Sequence, residues 1–339
     1  MKAIALDGSK GGGQMLRSAL TLALITGQAF RMTSIRGQRK SPGLKRQHLT
    51  CVKAALALCD GAADGAEMGS TELVFHPGTL RGGDYEFAIG TAGSTSLLLQ
   101  TLLPALWLAK EPSVIRVSGG THNPLAPPTD FIAHTFLPSM ARLGARATLR
   151  LLETGFAPVG GGVIECSVEP CQRFEPAAFT RNGDPESIGI RIIARQVAPR
   201  ILERVAHAAS QKLSGPEPKI EILPEGPGHG LACLTEARWA DFRMVCSSFG
   251  EQGLTAEKVG RYAGKGMHNY LGSGAYADRH LADQLLLPLA LAGGGSFTAQ
   301  IPDDHFETNR AVISKFVPLE VSVSEPERGV VKVVVGQPD

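Results

Sequence analysis

Three apolar segments of this chain each carry a glutamine flanked by small residues: "GGGQMLRSALTLALITG", "AGSTSLLLQTLLPALWLA" and "LADQLLLPLALAGGGSF". Helices this apolar must be wrapped by other structure, so three of them call for a shared core. An extended stretch follows each one: "FRMTSIR", "SVIRVSGG" and "SFTAQIP". A second helix pattern comes next ("KRQHLTCVKAALALC", "PTDFIAHTFLPSMARLG", "TNRAVISKFV"). Strands then close each unit: "TELVFHPG", "ATLRLLE" with "GGGVIECSVEP", and "LEVSVSEP" with "GVVKVVVG". The recurring order predicts an α/β (α+β) fold of three repeated α/β units packed around one core.

The texture changes between Phe174 and Ala275. There "SIGIRIIARQVAPRILERVAHAASQKL" reads as a strand and an amphipathic helix, "PKIEILPEGPGHGLACLTEARWADFRMVCSSFGEQG" as strands with turns, and "TAEKVGRYAGKGMHNYLGSG" as another helix. The expected division is residues 1–178 and 277–339 as one domain of three repeats. A smaller α/β domain, 179–276, is inserted, and the third unit begins near residue 277.

Composition narrows the class. A net charge of +2 over 339 residues neither demands nor excludes nucleic acid, because a local basic patch can sit in a near-neutral whole. The six cysteines show no C-x-x-C pair and no zinc spacing, which suits reduced thiols in a cytosol. "MKAIALDGS" runs from a strand directly into a glycine loop, without the pattern of a signal peptide. The longest apolar stretch, "SLLLQTLLPALWLA", falls short of the ~20 residues a membrane span needs. A soluble, cytoplasmic protein with no membrane partner is the expectation. Exposed sheet edges could pair two copies into a homodimer.

Two stretches carry chemistry on residue type. In "SIRGQRKSPGLKRQHLTCVKAA" six cations (Arg36, Arg39, Lys40, Lys45, Arg46, Lys53) surround a Pro-Gly turn, with Gln47 and His48 at a helix start. Charge runs are usually solvated faces, but guanidiniums beside a helix N-terminus suit phosphates. In "IPDDHFETNRAVISKF", His305 follows an acidic pair and precedes a helix that Thr308 or Asn309 would cap. An imidazole with an ordinary pKa of about 6.5 is substantially neutral and nucleophilic at physiological pH, although a lone loop histidine is more often an ordinary surface residue.

Weaker signals lie elsewhere. "GGTHNPLAPPTDF" reads as a rigid turn ending in a capping Thr129 or Asp130, where Pro127 and Phe131 could wall a planar base. "GFAPVGGG" reads as a hairpin turn, and the remaining histidines show no metal-ligand spacing. The first loop, "ALDGSKGGGQMLRSAL", is no P-loop, because its lysine precedes the glycine triplet instead of following the last glycine.

With "ALDG…GGGQMLRSAL", "SIRGQR", "PGLKRQHL", "RGGDYEFAIGTAGS", "GGTHNPLAPP", "GFAPVGGG", "HLADQLLLPLALAG" and "HFETNRAV" in this order, the chain resembles the RNA 3′-terminal phosphate cyclases. The resemblance implies three units like the C-terminal domain of a translation initiation factor, plus a small inserted domain. It also implies a reaction. ATP adenylates a histidine, AMP passes to an RNA 3′-phosphate to give a 3′-pp-5′-A end, and the vicinal 2′-hydroxyl attacks to leave a 2′,3′-cyclic phosphate. That last step requires RNA, since DNA lacks the 2′-hydroxyl. By the same resemblance His305 is the nucleophile, and Arg17, Arg36 and Arg39 bind phosphates with Gln47 and His48. Gln100 and Asp283 contact the nucleotide, Pro127 and Phe131 flank adenine, and a divalent metal (Mg2+ or Mn2+) assists.

Two departures stand out. The family's first loop reads close to "DG-x-x-GEGGGQ", with a glutamate that helps bind metal. Here "DGSKGGGQ" is two residues shorter and puts Lys10 in that place, so the metal ligands are left unassigned. A cation there repels a metal and attracts phosphate. His280 stands before "LADQ" where a tyrosine is common. Two other readings compete: a catalytically weak or silent cyclase-like RNA-binding protein, and an enolpyruvyl transferase, whose fold also repeats α/β units. The presence of His305 and all three arginines disfavours the silent class.

Overall fold

The computed structural model describes residues 3–181, 183–327 and 329–336. The first unit comprises β1 (Ile4–Asp7), α1 (Gly12–Thr26), β2 (Phe30–Thr33), α2 (Arg46–Cys59), β3 (Ala62–Asp64) and β4 (Leu73–His76). The second begins with β5 (Gly83–Ala88), α3 (Thr95–Trp107) and β6 (Ser113–Gly119). It continues through α4 (Thr129–Phe131), a π-helical turn at Ile132–Phe136, α5 (Leu137–Ala141), β7 (Arg146–Glu153) and β8 (Gly162–Glu169). Next come β9 (Ala177–Phe179), β10 (Ser187–Arg195), α6 (Pro199–Lys212), β11 (Pro218–Ile222), β12 (Gly230–Arg238), β13 (Arg243–Phe249) and α7 (Ala256–Ser273). The chain closes with α8 (Arg279–Leu291), β14 (Gly295–Gln300), α9 (Asp304–Phe316), β15 (Glu320–Glu327) and β16 (Val330–Gly336).

Hydrogen bonding proves the repeat. The sheets run β1-β2-β4-β3, β5-β6-β8-β7 and β9-β14-β16-β15. In each, the first strand is parallel to the second, the second antiparallel to the fourth, and the fourth antiparallel to the third. A parallel pair needs a crossover, and helices α1, α3 and α8 supply it. β9 therefore opens the third unit at Ala177–Phe179, ahead of the inserted segment, which corrects the expected start near residue 277. Three residues are too few to show strand periodicity, so only the pairing with β14 reveals it.

The three crossover helices meet at the centre. Leu16 and Leu20 of α1, Leu98 and Leu102 of α3, and Leu285 and Leu289 of α8 are all fully buried. Each contributes roughly 1.5–3 kcal/mol on burial. Pro104 and Pro288 lie inside α3 and α8, four residues after Gln100 and Gln284. A helix-interior proline has no N–H, so the carbonyls of both glutamines lose their helical partner. The same two side chains bond to each other, Gln100 Nε2 donating to Gln284 Oε1 at 2.8 Å.

The inserted segment has its own sheet, β11-β10-β12-β13, with its first strand in the middle, so it is not a fourth repeat. Two arginines of β10 anchor it to the second unit. Arg195, 2% exposed, donates to the carbonyls of Thr154 (2.9 Å), Pro224 (3.0 Å) and Pro227 (3.0 Å) and pairs with Glu153. Arg191 pairs with Asp130, whose other oxygen lies 2.8 Å from Nε2 of buried His122. Burial and the Arg191 charge push His122 down to about 3, so it is neutral at physiological pH. Asp130 and Thr129 therefore do not cap the helix as expected. Pro128 holds the N-cap position without a side-chain bond.

Candidate active site

His305 sits in the first turn of α9 instead of before the helix. Asp303 is the N-cap, and its carboxylate accepts the His305 N–H at 2.9 Å, which corrects the expected caps Thr308 and Asn309. The exposed imidazole is held by its neighbour across the interface with α1: Nδ1 lies 2.7 Å from Gln14 Oε1. An amide oxygen only accepts, so Nδ1 carries the proton and Nε2 keeps its lone pair. In this orientation Gln14 Nε2 donates to Asp283 Oδ2; the turned-over amide would need the protonated carboxyl to donate to the amide oxygen instead.

Two further residues lock this arrangement. Asn309, one turn beyond His305, donates to the Asp283 main-chain carbonyl at 3.0 Å and accepts from Ser18 Oγ at 2.7 Å. Helices α1, α8 and α9 are thus laced together directly beneath the imidazole. Burial pushes the Asp283 carboxyl up to about 7, against the opposing pull of Asn309, Gln14 and the Arg17 charge. Its Oδ1 is buried with no hydrogen-bond partner among the described residues. Asp283 also lines a cavity of about 90 Å³ shared with Arg17, Gln100, Gln284, Ser18 and Asn309.

Cations gather next to the cavity. The guanidinium of Arg17, one turn beyond Gln14, makes no hydrogen bond or ion pair among the described residues, although the Arg17 main-chain carbonyl accepts from Thr21 Oγ1 at 2.9 Å. Burial lowers its pKa, and the nearby Cys51 and Asp283 oppose that shift. A β-carbon at Gly13 would collide with His48 Nε2 and lie 3.2 Å from an Arg17 guanidinium nitrogen. A β-carbon at Gly12, whose φ is +58°, would lie 3.2 Å from the Arg39 guanidinium. The glycines therefore let Arg17, Arg39 and His48 close on one main-chain segment. Nδ1 of His48 accepts the Lys45 N–H at 3.1 Å, which puts its proton on Nε2. Burial, together with Arg17, Arg36 and Lys45, pushes His48 down to about 3, so it is a neutral donor.

The other expected residues differ in placement. Arg36 donates to the carbonyls of Ser41 (2.8 Å) and Gly43 (3.1 Å), which shapes the loop before α2. The Gln47 oxygen accepts the Ser94 N–H at 3.0 Å and so pins the start of α3. Pro127 is half-buried and Phe131 only 4% exposed, packed in the core; neither lines the cavity. His280 and Lys10 are exposed. Asp7, the carboxylate nearest Lys10 in sequence, is occupied by the N–H and hydroxyl of Ser9. No group of three His, Cys, Asp or Glu side chains that could hold a metal occurs among the described residues. The first loop therefore offers no metal cradle.

Gln14, Ser18 and Asn309 are the residues that sequence reasoning missed as parts of the site. The repeat held a signal for Gln14, the first of the three helix-borne glutamines. Nothing in sequence ties Ser18 to Asn309.

Cationic side chains at a helix N-terminus and an imidazole held through Gln14, itself part of the cavity wall, are thus brought together by the first and last units. The profile of the family described as RNA 3′-terminal phosphate cyclase matches residues 9–323. Over 336 residues the chain is 44% identical to the RNA 3′-terminal phosphate cyclase of Ectopseudomonas mendocina, covering 98% of each chain. It is 45% identical to that of Ralstonia nicotianae, covering 98% of this chain and 97% of the relative. The chain belongs to the RNA 3′-terminal phosphate cyclase family. Among solved structures, the enolpyruvyl transferase NikO from Streptomyces tendae aligns at 14% identity and a TM-score of 0.37, over 97% of this chain and 47% of that one. A likeness at that score carries no argument. No helix among the described residues is long and apolar enough to cross a membrane.

Proposed function

We propose that the protein converts an RNA 3′-terminal phosphate to a 2′,3′-cyclic phosphate using ATP, through a covalent AMP on His305. The observation that carries this reading is the His305 Nδ1–Gln14 Oε1 bond of 2.7 Å, which leaves Nε2 as the free, unprotonated nitrogen. Nε2 attacks the α-phosphorus of ATP, the N–P bond forms, and the bond to pyrophosphate breaks. A 3′-phosphate oxygen of the RNA then displaces His305 and takes the AMP. Finally the 2′-hydroxyl attacks the activated phosphorus, loses its proton and expels AMP. Adenylation is needed because a phosphate monoester carries no good leaving group. The closing step is intramolecular, so the ribose supplies its proximity.

The residues present fit the phosphates of ATP better than a metal. Arg17, Arg39 and the His48 Nε2–H converge on Gly12–Gly13 beside the α1 N-terminus, where developing phosphate charge is stabilised. The cavity of about 90 Å³ is too small for a nucleotide, so in this reading ATP would bind outside it, with Asp283 and Gln100 in the cavity wall. A divalent ion, Mg2+ or Mn2+, would be carried by the phosphates themselves, and no step is assigned to it. The test is incubation with ATP labelled at the α-phosphate. Covalent label on the parent protein and none on His305→Ala is expected; undiminished labelling of the variant refutes the mechanism. A silent, RNA-binding relative would show no label in either protein.

A further inference from the structure

From Gly8 to Cys59 the sequence contains no Asp or Glu. Of the lysines and arginines in that stretch, Arg31 alone meets a carboxylate among the described residues, Glu72 at 2.6 Å. The surplus concentrates where it costs most. Helix α2 starts with Lys45 at its N-cap and Arg46 next, with no acidic residue in its first turn. The N-terminus of a helix is its positive end, so each cation there is unfavourable unless an anion sits beside it.

Part of this charge has an assigned use. Arg17, Arg39 and His48 face Gly12–Gly13. Arg46 does not. Its guanidinium lies against the loop after β5, where a β-carbon at Gly90 would sit 3.6 Å from it. That loop is fixed by the Gln47–Ser94 bond of 3.0 Å. Thr50 and Lys53 follow at the spacing that places side chains on the same helix face, and Arg46 and Lys53 are both exposed. Seven residues of helix span about 10 Å. A stacked single strand carries about three phosphates over that length.

We propose that Arg46 and Lys53 bind phosphates of the RNA strand upstream of its reacting 3′ end, as a track separate from the nucleotide-facing cations. A second ATP contact is the weaker reading, because Arg46 turns toward Gly90 and away from Gly12–Gly13. The ligand is a single-stranded polyanion recognised by its backbone, without sequence preference. The inference rests on the proposed cyclase reading, since it orients the strand by its reacting end.

The test uses the full-length double variant Arg46→Ala/Lys53→Ala with two substrates: a 3′-phosphorylated RNA long enough to cross α2, and a nucleoside 3′-phosphate. For the long RNA, KM should rise about tenfold with kcat unchanged, and the slope of log affinity against log salt should fall by about 1.4. KM for the nucleoside 3′-phosphate and covalent labelling by ATP alone should match the parent. An unchanged KM for the long RNA, or equal losses on both substrates, overturns the track. If the parent protein forms no covalent AMP, the cyclase reading fails instead. Salt-dependent binding of the same long RNA, followed by fluorescence anisotropy, then still decides whether Arg46 and Lys53 contact it.

Discussion

Asp283→Asn isolates a titration that the structure ties to burial. The asparagine keeps the shape and an oxygen that accepts from Gln14 Nε2, but it has no proton to lose. In the parent, burial raises the carboxyl from 3.8 to about 7. The folded protein therefore retains a proton that the unfolded chain releases from about pH 4 upward. This group's contribution to stability is full below pH 4, is lost as pH rises through 7, and is gone by about pH 8. Three pKa units at 1.36 kcal/mol each make that loss about 4 kcal/mol. His48 and His122, both pushed down to about 3, act in the opposite direction. They stay neutral when folded, so stability is lost as pH falls below 6.5 and the unfolded chain takes up protons. Both histidines are common to parent and variant and cancel in the difference. The assay is urea unfolding of the two proteins at a series of pH values from 4 to 8. The variant's stability relative to the parent should climb by about 4 kcal/mol across that range. A difference that stays flat within ~1 kcal/mol would refute the argument. It would mean that Asp283 ionises at its ordinary pKa, with its Oδ1 satisfied.

Two further perturbations address the chemistry. Gln14→Leu removes the acceptor that fixes the His305 tautomer and the donor to Asp283; at ~1 kcal/mol per bond, the rate of covalent AMP formation should fall about 10–30-fold with little change in KM for ATP. A loss confined to KM would show that Gln14 merely binds nucleotide. Lys10→Glu exchanges an exposed cation for a carboxylate in the first loop, and half-maximal labelling should then need less divalent ion. An unchanged metal titration would place Lys10 away from the phosphates.

Much of this architecture was legible because it rests on local patterns. The apolar glutamine helices, the strands "SVIRVSGG" and "GVVKVVVG", and the helix of "TAEKVGRYAGKGMHNYLGSG" all fall where periodicity places them. β9 was not legible, since three residues carry no period and their partner β14 lies beyond the whole inserted segment. The cap of α9 was misplaced by reading past Asp303, although an acidic residue before an amphipathic run is an ordinary start signal. In the site, residue type favoured the cationic run, while His305 stood out only through the family resemblance. It could not show that Gln14 orients the imidazole, or that Arg36 and Gln47 spend their polar atoms on main-chain groups of Ser41, Gly43 and Ser94. Those facts depend on helices brought together from distant parts of the chain.

The position of β9 also gives the third unit the longest closure of the three. Ile4 finds Phe30, and Gly83 finds Ser113, across one short crossover each. Ala177 must wait for Gly295, a span about two doublings longer, which adds about 1 kcal/mol of closure entropy if the intervening chain is loose. Folding the inserted segment first, on the Arg191 and Arg195 anchors, removes most of that cost by bringing its two ends together. His305 lies in this third unit, while Arg17 and Arg39 belong to the first. On the proposed cyclase reading, a partly folded chain would grip phosphate before it held its nucleophile in place. On that reading, covalent labelling by ATP would report completion of the whole fold, which phosphate binding alone would not.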